Sequence, residues 1–251
     1  MADERRLFGL KAIVTGATGG IGEAIARTLV KQGADVLAID SQNSGVDTHF
    51  KSVRGIKGTV IDIYATDAAS QIADTASSEF GHLDIVICNV TPRVDGLIND
   101  GDNDALEKLL EQKQKIVSAI CQQLLPLMKN SPAGRIVILG FVRSIFGRDG
   151  SKSFAKSTAA IAALTAQLAT EAGPNGINAN YIQPGAVMTP NSRRVFNNDK
   201  ELRDFCIGRS AAKRLGEPID IAKVALFLAS DESVFVSGTG IVVDGGTAAV
   251  T

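Results

Sequence analysis

Thr15-Gly16-Ala17-Thr18-Gly19-Gly20-Ile21-Gly22 sets four glycines between a short apolar run and a longer amphipathic one. A glycine turn between a strand and a helix is the context that phosphate binding needs. Glycine lets the backbone approach a pyrophosphate, and the helix start offers free N–H groups and positive dipole. Asp40 ends the next apolar run, 18 residues after Gly22. A carboxylate there accepts hydrogen bonds from both hydroxyls of a ribose and repels a 2′-phosphate, so the pair predicts NAD over NADP. Taken singly, the glycines could make only a tight turn and Asp40 only a solvated strand end. Their order and spacing point to a dinucleotide, with Gly16, Thr18, Gly20, Ile21, Gly22 and Asp40 as candidate ligands.

The elements that must position these residues follow from the apolar pattern. Short runs at 11–15, 35–40, 58–63, 83–89, 135–139, 177–182 and 240–243 read as strands. Helical spacing covers 21–32, 67–80, 103–128, 153–172 and 219–229, with Pro126 marking an end. Strands alternating with helices predict one α/β domain over 1–251, a doubly wound, seven-stranded parallel sheet flanked by helices. The stretch 193–209 is polar and weakly periodic, so it is expected to be a mobile loop.

Bulk composition narrows the partners. A net charge of −1 without basic runs argues against nucleic acid and anionic membranes. There is no apolar stretch of spanning length, and residues 1–6 are charged, unlike a signal peptide. Cys88, Cys121 and Cys206 lie far apart, without CxxC spacing or a histidine cluster. They read as reduced core thiols of a cytoplasmic protein, with no metal site.

With these motifs in place, nearly the whole chain resembles the short-chain dehydrogenase/reductase family. Thr15 to Gly22 matches its TGxxxGIG turn, and Asp62, followed by Ile63, matches its adenine-contacting acid. Asn89 keeps the second Asn of its NNAG motif. Pro184-Gly185-Ala186-Val187-Met188-Thr189 matches PGxxxT, which implies that Pro184, Val187 and Thr189 sit at the nicotinamide end. Arg214 to Pro218 and Val243 to Gly246 match the family's late signature.

The resemblance fails where the family does its chemistry. A catalytic Ser, a Tyr-xxx-Lys pair thirteen residues later, and an Asn on the preceding long helix are expected. Aligned through Gly147 and Gly150, those positions hold Phe141, Phe154, Thr158, and Lys113 or Gln114. Tyr64 and Tyr181, the only tyrosines, belong to other segments, Lys156 points away from the Thr158 face, and Ser144, Lys152 and Ser153 read as ordinary loop polars. Phe141 and Phe154 are expected to fill the substrate cleft.

Without a proton donor and an oxyanion donor, the family mechanism has no useful rate. The expected role is therefore a pseudoenzyme subunit of an NAD-dependent dehydrogenase complex. The resemblance implies a catalytically intact sister subunit in a hetero-oligomer, or self-association as a homotetramer. It extends to complexes acting on hydroxyacyl-CoA thioesters in anaerobic aromatic degradation. A small-residue stripe, Ala159, Ala160, Ala163, Ala166 and Ala169, marks the expected contact. The alternative is a divergent oxidoreductase interconverting a secondary alcohol and a ketone by a non-standard mechanism.

Overall fold

The computed structural model describes residues 5–92 and 96–247, so the first four residues of the charged N-terminal stretch lie outside it. Its centre is a seven-stranded sheet in the order β3-β2-β1-β4-β5-β6-β7. The strands are β1 (Lys11–Thr15), β2 (Asp35–Asp40), β3 (Ile56–Val60), β4 (Ile85–Cys88), β5 (Arg135–Leu139), β6 (Asn178–Pro184) and β7 (Gly240–Val243). Every neighbouring pair is parallel; Val14, for example, lies between Ala38 and Ile87. Such strands must be covered on both faces, which is why β4 and β5 are buried at every position.

Two helical layers supply the cover. Helices α1 (Gly20–Lys31) and α8 (Pro218–Ala229) pack on one face. Helices α3 (Ala68–Phe80), α4 (Asn103–Met128) and α5 (Ser151–Ala172) pack on the other. The short α2 (Val46–His49) precedes β3. Strand order reverses between β1 and β4, which opens a crevice at their carboxyl ends. The glycine turn leaves β1 and Asn89 leaves β4 at that crevice. No helix among the described residues is long and apolar enough to cross a membrane.

Several expectations are corrected. The third strand ends at Val60, where its pairing with β2 ends opposite Asp40, so Asp62 and Ile63 lie beyond the sheet. The stretch 193–209 is two helices, α6 (Pro190–Asn198) and α7 (Lys200–Arg209), and not a loop. Thr189 and Asp199 cap them by accepting from the Ser192 and Leu202 N–H groups. Phe196, Leu202 and Cys206 form their small buried cluster. Only one narrow face of each helix is apolar, which made the segment read as polar. Cys88 and Cys121 are 33 residues apart in sequence, yet their sulfurs lie 3.9 Å apart in the core; both are free thiols.

Phe196 is 1% exposed and anchors the α6–α7 pair. Phe196→Ala is expected to cost about 3–5 kcal/mol in urea unfolding, because it leaves a cavity that two short helices cannot close. Tryptic cleavage after Arg193, Arg194 and Arg203 should rise in parallel. An unchanged cleavage rate would show that these helices do not depend on that cluster.

Candidate active site

The first cavity, about 330 Å³, lies at the crevice between β1 and β4 and gathers Thr18, Gly20, Ile21, Asn89 and Thr189. Gly16 has φ +57°, and a Cβ on Gly22 would lie 2.0 Å from the Gly16 carbonyl oxygen, so the turn is bare backbone by necessity. Asn89 holds its shape: its Nδ2 donates to the Gly16 carbonyl at 3.0 Å and its N–H to Thr15 Oγ1 at 3.0 Å. Gly19 caps α1 without a side-chain hydrogen bond, which leaves the first N–H groups of the helix to a ligand. Asp40 Oδ2 accepts from the Thr18 N–H and hydroxyl at 2.9 and 2.6 Å. The carboxylate thus braces the turn and retains lone pairs for a ribose. These residues fit a dinucleotide.

The other candidate residues are dispersed. Asp62 is exposed and accepts from the Tyr64 N–H, and Ile63 is buried in the core. Val187 is buried and bridges to Gly216. The Thr189 hydroxyl is engaged with Ser192 in the α6 cap. Pro184 lines a different cavity.

That second cavity, about 500 Å³, holds two of the four expected catalytic positions. Phe154 and Thr158 line it, and no residue lines both cavities. Residues 142–144 form a shared wall, with Val142 and Ser144 facing the first cavity and Arg143 the second. The Phe154 ring meets Phe146 edge-on, centroids 5.4 Å apart. Thr158 Oγ1 donates to the Phe154 carbonyl of its own helix at 3.1 Å.

Phe141 corrects the sequence reading: it is wholly buried in the core, lines neither cavity, and therefore does not fill a cleft. Lys113 explains where it goes. The lysine is 0% exposed, with Nζ donating to the Val90 carbonyl at 2.6 Å and lying 4.4 Å from the centre of the Phe141 ring. Gln114 is exposed, so Lys113 is the inward-facing residue of that pair. Burial pushes the Lys113 ammonium down from 10.5 to about 7, against an opposing pull from Cys88.

Sequence reasoning passed over three residues. Ser144, read as a loop polar, is buried on the first cavity. Tyr181, assigned elsewhere, lines the second, because β6 turns it towards α5. Arg143 received no reading, although a basic residue beside an apolar strand end was a signal. Lys152 and Ser153 are structural, their N–H groups held by Asp100. Gln183 borders the second cavity with an unpartnered, buried Oε1, since its Nε2 is fixed on the Phe141 and Pro184 carbonyls.

The family described as Enoyl-(Acyl carrier protein) reductase matches residues 16–248. The 3-oxoacyl-(acyl-carrier-protein) reductase FabG of Thermotoga maritima is 29% identical over 96% of this chain and 98% of its own length. The 7alpha-hydroxysteroid dehydrogenase of Bacteroides fragilis is 30% identical, covering 93% and 92%. The human dehydrogenase/reductase SDR family member 4 is 31% identical, covering 94% and 86%.

Lys113 makes the site's electrostatics testable. Between pH 7 and 10.5 the unfolded lysine stays protonated while the folded one does not, so the unfolded state binds more protons and stability rises with pH. The expected rise is on the order of a few kcal/mol. Lys113→Met should remove it in denaturant titrations across that range. A rise of the same size in the variant would assign it to another group.

Proposed function

The chain belongs to the short-chain dehydrogenase/reductase family, and within it we propose that it is a dinucleotide-binding, non-catalytic subunit of an NAD-dependent dehydrogenase assembly. Its partner is a sister chain of the same family that keeps the catalytic Ser, Tyr and Lys. The assembly is cytoplasmic and its substrate a hydroxyacyl thioester. The observation that carries this reading is the fate of the four catalytic positions. Phe154 offers no proton, the Thr158 hydroxyl is spent on its own helix, and Phe141 and Lys113 are sealed in the core. A positioned general acid or base is worth roughly 10²–10⁴-fold in rate, and none of these residues can act as one in the cleft.

NAD, when bound, supplies a nicotinamide that exchanges hydride. The turn from Gly16 to Gly22 would take the pyrophosphate, Asp40 the adenosine ribose, and Asp62 and Ile63 the adenine. Asn89, Pro184, Val187 and Thr189 would frame the nicotinamide end. Assembly is supported by α5. Its inward face is Ile161, Leu164 and Leu168, while Ala159, Ala163 and Ala166 are exposed in the single chain. A stripe of small residues permits close helix–helix approach.

The comparisons favour a second reading, and more directly, because the relatives above carry reductase or dehydrogenase names. In it the chain is a divergent NAD-dependent oxidoreductase interconverting a secondary alcohol and a ketone. Ser144, buried on the first cavity, is one hydroxyl available to such a mechanism.

Turnover by the purified chain, free of any sister, separates the two. The subunit reading expects NAD binding by calorimetry but no oxidation of secondary alcohols; turnover abolished by Ser144→Ala would establish the second reading. Asp40→Asn keeps an acceptor for Thr18 but removes the charge, so the preference for NAD over NADP should fall by about tenfold. Ala163→Arg should split a co-expressed complex in light scattering, and a complex unaffected by it would place the contact elsewhere.

A further inference from the structure

Arg143 is a buried cation without an anion. The residue is 6% exposed, and its guanidinium carbon lies 5.8 Å from the Phe154 ring centre and 5.7 Å from that of Phe205. Nη1 donates to the Phe146 carbonyl at 2.7 Å. Nη2 makes only long contacts, 3.4 Å to the Arg148 carbonyl and 3.5 Å to Ser151 Oγ. Among the described residues no Asp or Glu forms an ion pair with it. Asp100, whose field reaches it, is engaged by the Ser153 and Lys152 N–H groups. Removing a charge from water costs several kcal/mol even after relaxation. Contact with two aromatic faces returns only about 1–2 kcal/mol each.

The cavity that Arg143 lines has the complementary character. Its charged lining residues are Arg143, the exposed Arg209 and Asp244, and Asp244 Oδ1 is occupied by the Gly246 N–H. The rest is largely apolar, with Phe154, Phe205 and Ala162 among its walls. A space of about 500 Å³ suits a small organic molecule. One planar guanidinium, with no second buried cation beside it, matches a singly charged carboxylate better than a doubly charged phosphate.

We propose that this cavity binds a carboxylic acid with an apolar alkyl or aryl body, its carboxylate on Arg143 and its body between Phe154, Phe205 and α5. The site goes beyond the dinucleotide reading: it shares no lining residue with the first cavity, only Pro184 of the residues assigned to the dinucleotide borders it, and it stands whether or not the chain turns over substrate.

Calorimetry on the full chain, with and without saturating NAD, tests it with butyrate, octanoate and 3-phenylpropionate. At least one acid should bind, and at least about tenfold tighter than the corresponding alcohol. Arg143→Met should erase that difference, and Arg209→Gln should leave most of it. Ala162→Phe, which fills the cavity without altering charge, should abolish acid binding and spare NAD binding. It keeps the test decisive if Arg143→Met does not fold. Absence of binding by all three acids up to about 10 mM, equal binding of acid and alcohol, or acid binding undiminished in Ala162→Phe would overturn the proposal. Tighter binding of phenyl phosphate than of 3-phenylpropionate would overturn the choice of carboxylate. Loss of NAD binding alone would count against the proposed function and not against this site.

Discussion

Asn89 ties the carboxyl ends of the two central strands together, and the arrangement of the crevice follows from that tie. Its N–H reaches Thr15 at the end of β1, its amide reaches the carbonyl of Gly16, and Thr15 Oγ1 donates to Ile87 at 3.4 Å. The turn can therefore pass close under Asn89 only without side chains; a Cβ on Gly16 would lie 2.4 Å from the Asn89 carbonyl oxygen. From this junction α1 starts with free N–H groups, and Asp40 is drawn in from the neighbouring strand through Thr18. The bare-backbone turn is a by-product of how two parallel strands are stapled at the point where sheet order reverses.

The departures from the family pattern sort into packed groups. At the positions the resemblance gives to the Ser and the Asn, the Phe141 ring packs under the Lys113 amine. At the position the resemblance gives to the Tyr, the Phe154 ring is held by Phe146 and Arg143. In both places a basic side chain is buried against an aromatic face. Where the family pairs a phenol with a lysine, Thr158 turns its hydroxyl back on its own helix. Compensated packing of this kind is what a stable core demands of substitutions that remove polar groups, since an unsatisfied donor or acceptor left behind costs about 1–3 kcal/mol.

Residues 142–144 form the wall between the two cavities. Val142 is extended and Arg143 opens a single 3-10 turn, so the side chains diverge: Val142 and Ser144 line the first cavity while Arg143 lines the other. The two spaces are neighbours with chemically different walls: one backbone-rich and suited to phosphate, the other aromatic with a single buried cation.

How much of this was legible beforehand differs by residue. The glycine turn, Asp40, Asn89 and the seven strands are local signals, readable because turn chemistry and apolar runs depend on near neighbours. The assignment of Phe141, Phe154 and Thr158 to the family's Ser, Tyr and Lys positions rests on spacing alone. Helices α6 and α7 were not legible, because their one buried face becomes apolar only when Phe196, Leu202 and Cys206 meet. The pairing of Cys88 with Cys121, the burial of Lys113 against Phe141, the turning of Tyr181 into the second cavity and the isolation of Arg143 from any carboxylate all join residues distant in the chain or depend on which way a side chain faces. Sequence by itself determined the order of elements, the glycine turn between β1 and α1 and the membership of the family, since each is written in residue type and spacing. Only the tertiary structure decided which buried basic residue lines a cavity, because that is a matter of distance in space and not of position along the chain.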